Sequence, residues 1–239
     1  MRKFLKLILV FFWRELLIIR ISKILDFRVW RLTKSSSSQL LQDIFVLKTL
    51  KFKRNGFFVE FGATDGVYLS NSLLLEKSFD WNGILAEPGR IWHHDLYKNR
   101  RAIIDRRCLW KESKCQLQFN ETASPELSTL EDFQTIDFHD RNIGEHRTYE
   151  VETVTLKDLL KDNMAPFEID YLSIDTEGSE FEILSHFDFT SHKIKIITCE
   201  HNYGPNRTKI DDLLTSHGYR RVLQRLTRFE DWYVLRDSI

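Results

Sequence analysis

The segment that most constrains the fold is Phe57-Phe58-Val59-Glu60-Phe61-Gly62-Ala63-Thr64-Asp65-Gly66. A short apolar run that closes in glycine and leads into helical spacing reads as a buried strand, a tight turn and a helix. The unit recurs: a helix near residues 71–78 is followed by Gly83-Ile84-Leu85-Ala86, a helix over 91–99 and a third strand, Ala102-Ile103-Ile104. Strand alternating with helix predicts an α/β fold, a doubly wound, Rossmann-like parallel sheet with helices on both faces, because parallel strands need long crossovers and those crossovers cover the sheet. Upstream, Leu40, Leu41, Ile44, Phe45, Leu47 and Leu50 predict a helix over 39–53, ended by Asn55-Gly56. Downstream, strands at 169–174 and 194–198 flank a helix at 179–186. A helix at 208–217 then leads to segments 219–223 and 232–235, which read as an antiparallel hairpin at one sheet edge.

A chain of 239 residues supports one well-filled domain with a small appendage. Its 35 Lys and Arg balance 35 Asp and Glu, so bulk charge gives no case for a nucleic acid partner. The balance is uneven along the chain, since residues 1–34 hold nine Lys or Arg against Glu15 and Asp26. Within this arm the longest apolar run, Leu7 to Trp13, is far short of the ~20 residues that span a bilayer. Lys6 and Arg14 interrupt the stretch and argue against a cleaved signal peptide. As a helix, the arm gathers Phe4, Leu7, Ile8, Phe11, Phe12, Ile18, Ile19, Leu25, Val29 and Trp30 on an arc free of Lys and Arg. That amphipathic pattern predicts peripheral association with the cytoplasmic membrane face; the competing readings are packing on the domain or on a second subunit, and a two-helix hairpin. Ser35-Ser36-Ser37-Ser38 reads as a linker, with the catalytic domain at 39–239. Cys108, Cys115 and Cys199 are odd in number and form no C-x-x-C pair, which argues against a disulfide framework or a zinc site and fits a reducing, cytoplasmic setting.

The turn Glu60-x-Gly62-x-x-x-Gly66 does not have the G-x-G-x-x-G spacing of dinucleotide sites. It also carries Glu60 and Asp65 where a pyrophosphate wants neutral donors and a bare helix N-terminus. Two carboxylates suit a cationic ligand instead, and S-adenosylmethionine carries a sulfonium and an ammonium group. Glu87, about 20 residues beyond the turn and closing the second strand, stands where an acid accepts hydrogen bonds from ribose hydroxyls. The bland alternatives are capping for Glu60, turn chemistry for the glycines and a surface turn acid for Glu87.

Two later strands end in polar residues on the same edge: Asp175-Thr176-Glu177-Gly178-Ser179-Glu180 and Cys199-Glu200-His201-Asn202. Open α/β sheets bind ligands at that edge. Three uses stay open. His201 can be the base for a hydroxyl acceptor, oriented by Glu200 or Asp175. Asp175, Glu200 and Asn202 can hold a divalent metal, a reading not favoured over the base. The histidine can also be purely structural. Glu177 and Glu180 suit the start of the following helix.

Five segments, FFVEFGATDGVYLSN from Phe57, Ala86-Glu87-Pro88, YEVETVTLKDLL from Tyr149, YLSIDTEGSEFEIL from Tyr171 and CEHN from Cys199, resemble the FkbM-type methyltransferases in order and content. The resemblance runs from about Gln39 to Leu235. It implies a seven-stranded methyltransferase sheet with its last strand antiparallel, and S-adenosylmethionine as methyl donor. It implies that Glu60, Gly62 and Gly66 meet the methionine part, with Ala63 and Asp65 in the same turn. Glu87, beside Pro88, would meet the ribose, and Asp175, aided by Asn71, the region of the sulfonium. Asp105 is its match near the adenine. The implied activity is O-methylation, commonly of sugar hydroxyls, here on a glycan that a basic arm would keep near a lipid surface. The rival classes are a nucleotide-dependent oxidoreductase on a similar sheet and an inactive membrane-tethered scaffold. Residues 117–150, with Thr122, Ser124, Ser128, Thr129, Phe133, His139, Arg141, His146 and Arg147, read as an insertion without firm periodicity, a lid or wall of the acceptor site, in which Arg141 and Arg147 either take a phosphate or carboxylate or are simply solvated.

Overall fold

A computed structural model describes residues 27–122, 128–130 and 147–238. The strands of its main sheet are β1 (Phe57–Phe61), β2 (Asn82–Ala86), β3 (Ile103–Asp105), β8 (Glu168–Ile174), β9 (Lys193–Glu200), β10 (Tyr219–Val222) and β11 (Glu230–Leu235). A smaller sheet holds β4 (Cys108–Leu109), β5 (Gln116–Glu121), β6 (Thr129–Leu130) and β7 (Arg147–Val154). The helices are α1 (Phe27–Thr33), α2 (Gln42–Thr49), α3 (Leu73–Phe79), α4 (His93–Asn99), α5 (Leu156–Asp162), α6 (Glu180–Ser185) and α7 (Arg207–Ser216).

The seven-stranded sheet runs β10-β11-β9-β8-β1-β2-β3. Its five central and right-hand strands are parallel, and β11 is antiparallel to both of its neighbours. The chain starts in the middle at β1, builds outward through β2 and β3, and returns to the other side of β1 as β8. That return is a topological switch point, where the carboxyl ends of β1 and β8 part to leave a crevice. The expected terminal hairpin is present, but its second strand, β11, is inserted between β9 and β10, so the edge belongs to β10.

Alternation along β1 sends Val59 and Phe61 into one apolar layer and Phe58 into the other. The first layer packs Leu156, Leu159 and Leu160 of α5, Ile183 and Leu184 of α6, and Ile210 and Leu214 of α7. The second packs Ile44 and Leu47 of α2, Leu74 and Leu75 of α3, Leu96 of α4, and Trp232. Val29 of α1 is fully buried in that layer while Trp30 is half exposed, so this end of the arm packs on the domain. Residues 1–26 lie outside the described residues. The serine run is tied to α2: Ser36 and Ser38 donate to Asp43 Oδ1 at 2.8 and 2.7 Å.

Two expectations are corrected. The helix read over 39–53 is shorter at both ends, because Leu41, Lys51 and Phe52 take left-handed φ values of 64, 54 and 59°. The segment read as an aperiodic insertion is in part a second sheet, in which β5 and β7 pair antiparallel with Leu117 opposite Val151 and Phe119 opposite Tyr149. Phe133, His139, Arg141 and His146 lie outside the described residues; Arg147 is exposed at the start of β7.

Candidate functional site

A cavity of about 350 Å3 opens at the carboxyl ends of β2, β1, β8 and β9, with β4 and β5 as its far wall. That is the size of a small-molecule site, for which ~300–1,000 Å3 is usual. Glu60, Gly62, Asn71, Glu87, Pro88, Asp175, Glu200 and Asn202 all line it, so four strand ends bring together most of the residues singled out in the sequence.

Glu87 closes β2 and is buried. Thr64 N donates to its Oε2 at 2.8 Å and Gly89 N to its Oε1 at 2.7 Å. Each carboxylate oxygen therefore keeps acceptor capacity for a second donor from the cavity. Burial, with Asp175 and Glu121 nearby, pushes the carboxyl up to about 7 despite the two amide bonds.

Glu60 lines the cavity, but both its oxygens are engaged within the protein. Asn71 N donates to Oε1 at 2.6 Å, the Ser70 and Ser72 hydroxyls donate to Oε2, and Arg100 Nη1 stands 3.8 Å from Oε2. Arg100 is wholly buried and also binds Glu76, Gly66 O, Ser70 and Ser72. The acid at the end of β1 thus fixes the loop that follows it. The product of that fixing is Asn71: its Nδ2 donates to Ser173 Oγ at 3.0 Å, leaving Oδ1 buried, without a partner, on the cavity wall.

The backbone at both turn glycines is one that the chain itself requires to be glycine. Gly62 has φ +70°, and a Cβ there would lie 2.2 Å from the Asp175 carbonyl oxygen; Gly66 has φ +76°, and its Cβ would meet Arg100 and Leu96. Gly66, Ala63 and Asp65 do not line the cavity. Asp65 is turned into its own loop, where Val67 N and Tyr68 N donate to Oδ1 at 2.8 and 2.7 Å, so its carboxylate serves an Asx turn and not the cationic ligand expected of it. Asp105 is likewise corrected. Arg107 binds it through backbone and guanidinium, and it lines a separate open pocket with His93 and Glu150. The wall that sequence reasoning missed is apolar: Trp92, Cys108, Leu109 and Phe119 line the cavity past Glu87. The i, i+2 spacing of Leu117 with Phe119 and of Tyr149 with Val151 was the signal for the sheet that carries Phe119.

At the β8 and β9 ends, ligating oxygens of Asp175, Glu177 and Glu200 all fall within 4.8 Å of one another. Burial, with Asp175 and Glu177 beside it, holds Glu200 well above the ordinary carboxylate range. Asn202, expected beside Asp175 and Glu200, lines the same cavity and turns its amide nitrogen toward Glu177 Oε2 at 3.4 Å. Glu180 is a loop cap, accepting from Thr176 N, Thr176 Oγ1 and Gly178 N. His201 is not in the cavity. Its Nδ1 accepts from Tyr203 N at 2.9 Å and its Nε2 stands 3.7 Å from Asp231 Oδ2, on the side facing α7. Burial lowers its pKa to about 4 against the pull of Asp231. With its lone pair already accepting a hydrogen bond and its ring turned away, it is corrected from a general base to a structural histidine.

No curated protein matches the chain significantly. Among solved structures, a chain in the crystal structure of a fibrillarin/NOP5P complex is similar over 80% of this chain and 79% of that one, at 13% identity and a TM-score of 0.38. The family model described as the methyltransferase FkbM domain matches residues 60–221. A match extending from the acid at the end of β1 to the edge strand β10, through every strand end that meets the cavity, places this chain in the FkbM methyltransferase domain family.

Proposed function

We propose that the chain transfers the methyl group of S-adenosylmethionine to a hydroxyl of a sugar or glycan. The observation that carries this reading is Glu87, a buried acid held by two backbone amides at the end of β2 with acceptor capacity still facing the cavity. The cavity's other walls fit the same donor. The apolar face of Trp92, Leu109 and Phe119 suits a flat heterocycle, and the unpartnered Asn71 Oδ1 with the Asp175 carboxylate suits the cationic end.

S-adenosylmethionine supplies an electrophilic methyl carbon, so the protein's part is mainly alignment and exclusion of water, which proximity alone can make worth up to ~7–11 kcal/mol. Glu87 fixes the ribose end, and the Glu60–Arg100 pair holds Asn71 on the cavity wall. Asp175 accepts the hydrogen bond of the incoming hydroxyl and orients its oxygen. Polar residues on this side, Gln39, Ser179 and Asn202, offer the hydrogen bonds a sugar requires. The basic arm before Val29 supports a lipid-linked acceptor at a membrane face; no helix of the described residues is long and apolar enough to cross a membrane. The oxidoreductase alternative falls with the family assignment.

Calorimetric titration of S-adenosylmethionine into the wild type and Glu87→Ala tests the reading. Removing an ionised acceptor worth ~1.5–3 kcal/mol per hydrogen bond predicts a loss of affinity of at least tenfold. Absence of heat with the wild type would refute the donor, and equal affinities would refute the ribose role.

A further inference from the structure

We propose that the outward face of α1, with the end of α2 beside it, is a contact surface for a bilayer carrying anionic headgroups. The helix is amphipathic where it lies. Val29 is fully buried and Leu32 packs into the same layer, while the opposite side presents Trp30, 47% exposed, together with Arg31 and Lys34. Lys34 Nζ sits 4.2 Å from the centre of the Trp30 ring. At the start of α1 the Arg28 guanidinium lies 4.1 Å over the ring of Phe52, Lys48 approaches the same ring at 5.9 Å, and Lys51 beside it is exposed. Lys53 and Arg54 pair with Asp170 and Asp80 and are left out of the surface. Over residues 27–54 the sole acid is Asp43, fully buried and bound by Ser36 and Ser38, so this stretch shows solvent cations and no carboxylate of its own.

Charge sets the class of partner as a polyanion, and the apolar component selects a bilayer among polyanions. A tryptophan flanked by lysine and arginine matches the headgroup level, where indole rings settle at the interface and cations meet anionic lipid. A nucleic acid or an acidic protein would satisfy the cations but not the sequence that runs into them: residues 1–26 lead directly into α1 and set Arg2, Lys3, Lys6, Arg14, Arg20 and Lys23 among Phe, Leu and Ile. A bilayer takes up both kinds of side chain. The face also adjoins the cavity. From α1 the chain passes through Ser36 and Ser38 to Gln39, which lines it, and the five steps from Lys34 to Gln39 span at most ~18 Å. Lipid held against α1 therefore lies within reach of the cavity mouth. Such contact requires nothing of the methyl-transfer reading, and it differs from anchoring by the arm alone in using side chains of the folded domain.

The full chain is sedimented with phosphatidylcholine vesicles prepared with and without phosphatidylserine. The expected result is binding that requires phosphatidylserine and weakens as salt is raised. Each cation at such a surface is worth about fivefold in partitioning, so Arg31→Gln with Lys34→Gln should weaken binding roughly twenty-fivefold. Lys157→Gln with Lys161→Gln removes the same charge from α5, which packs on the other side of the sheet, and should leave binding unchanged. Brominated phosphatidylserine gives a second reading: it should quench the wild-type fluorescence, and the quenched part should shrink in Trp30→Phe. A wild type that ignores phosphatidylserine, equal weakening by the two double variants, or full binding by Arg31→Gln with Lys34→Gln would overturn the surface. Binding to heparin without binding to vesicles would reassign it to a soluble polyanion and overturn the bilayer. Affinity for S-adenosylmethionine, titrated in parallel, should be the same in both double variants as in the wild type, so the donor cavity is read separately.

Discussion

Replacing Gly62 by alanine adds one methyl group at the point where the carboxyl ends of β1 and β8 come together. Two costs follow from the geometry. The backbone at φ +70° is left-handed, which an L-residue adopts at a cost of about 1–2 kcal/mol. The new Cβ would also lie 2.2 Å from the Asp175 carbonyl oxygen. That atom is backbone at a strand end and cannot swing aside, so β1 and β8 must separate there, an overpacking cost of about 1–3 kcal/mol. Together these give roughly 2–5 kcal/mol, and at roughly 2–4 °C per kcal/mol for a chain of this size the melting temperature should fall by about 10 °C. Because the displaced backbone belongs to Asp175, affinity for S-adenosylmethionine should fall with it. Scanning calorimetry and titration calorimetry on the same sample read both effects. Gly66→Ala is the contrast: its added Cβ meets the buried, fully engaged Arg100 and Leu96 at 2.5 and 2.7 Å, so it should also destabilise the fold, but it does not press on the Asp175 backbone. A Gly62→Ala protein melting within about 2 °C of the wild type, which is under ~1 kcal/mol, would refute the claim that this glycine exists for the backbone contact.

The remaining predictions address the buried charges. The carboxyl of Glu87 titrates near 7, so donor affinity should fall as pH drops through about 7 and the acceptor becomes protonated; Glu87→Gln should flatten that profile, and an unchanged slope in the variant would assign the titration elsewhere. In the unliganded protein the sign reverses. A folded pKa above the ordinary carboxylate range stabilises the fold at low pH and loses that contribution as pH rises toward about 7, which urea titrations at several pH values would show. Arg100→Met should cost about 3–5 kcal/mol, because Glu76 and Glu60 would be left buried without their countercharge; a loss below about 1 kcal/mol in urea denaturation would contradict the network. His201→Gln should retain donor affinity and methyl transfer to any acceptor the wild type uses, and lost turnover at unchanged melting temperature would restore the histidine to the chemistry.

The parallel half of the sheet was legible because each strand is a short apolar run closed by glycine or an acid, and burial on both faces leaves no other reading of such runs. Glu60, Glu87, Asp175 and Glu200 were legible for a related reason: an acid at the end of an apolar strand has to face the crevice. What those acids do there was not legible. Glu60 and Asp65 look alike in the sequence, yet one is locked to Arg100, 40 positions away, and the other folds onto its own turn. His201 follows Glu200 directly, but the left-handed backbone at Asn202 and Tyr203 brings Tyr203 N onto Nδ1 and turns the ring out of the cavity. The small sheet escaped notice because its apolar cluster has only Cys108, Phe119 and Val151 buried among the described residues, with Trp110, Leu117 and Tyr149 partly exposed around them.

The insertion of β11 between β9 and β10 has a consequence for biosynthesis. Synthesis at about 5–20 residues per second delivers β1, β2, β3, β8 and β9 first, and none of them needs β11 in order to pair. Until Glu230–Leu235 leaves the ribosome, however, β9 presents an open edge and β10 has no partner strand. Phe229, which lines the cavity, arrives only with that strand. The nascent chain therefore passes through a stage with most of its sheet built, a sticky flank uncovered and an unfinished pocket. Shortening the chain by its last ten residues should yield a product that associates through β9 rather than a smaller working enzyme.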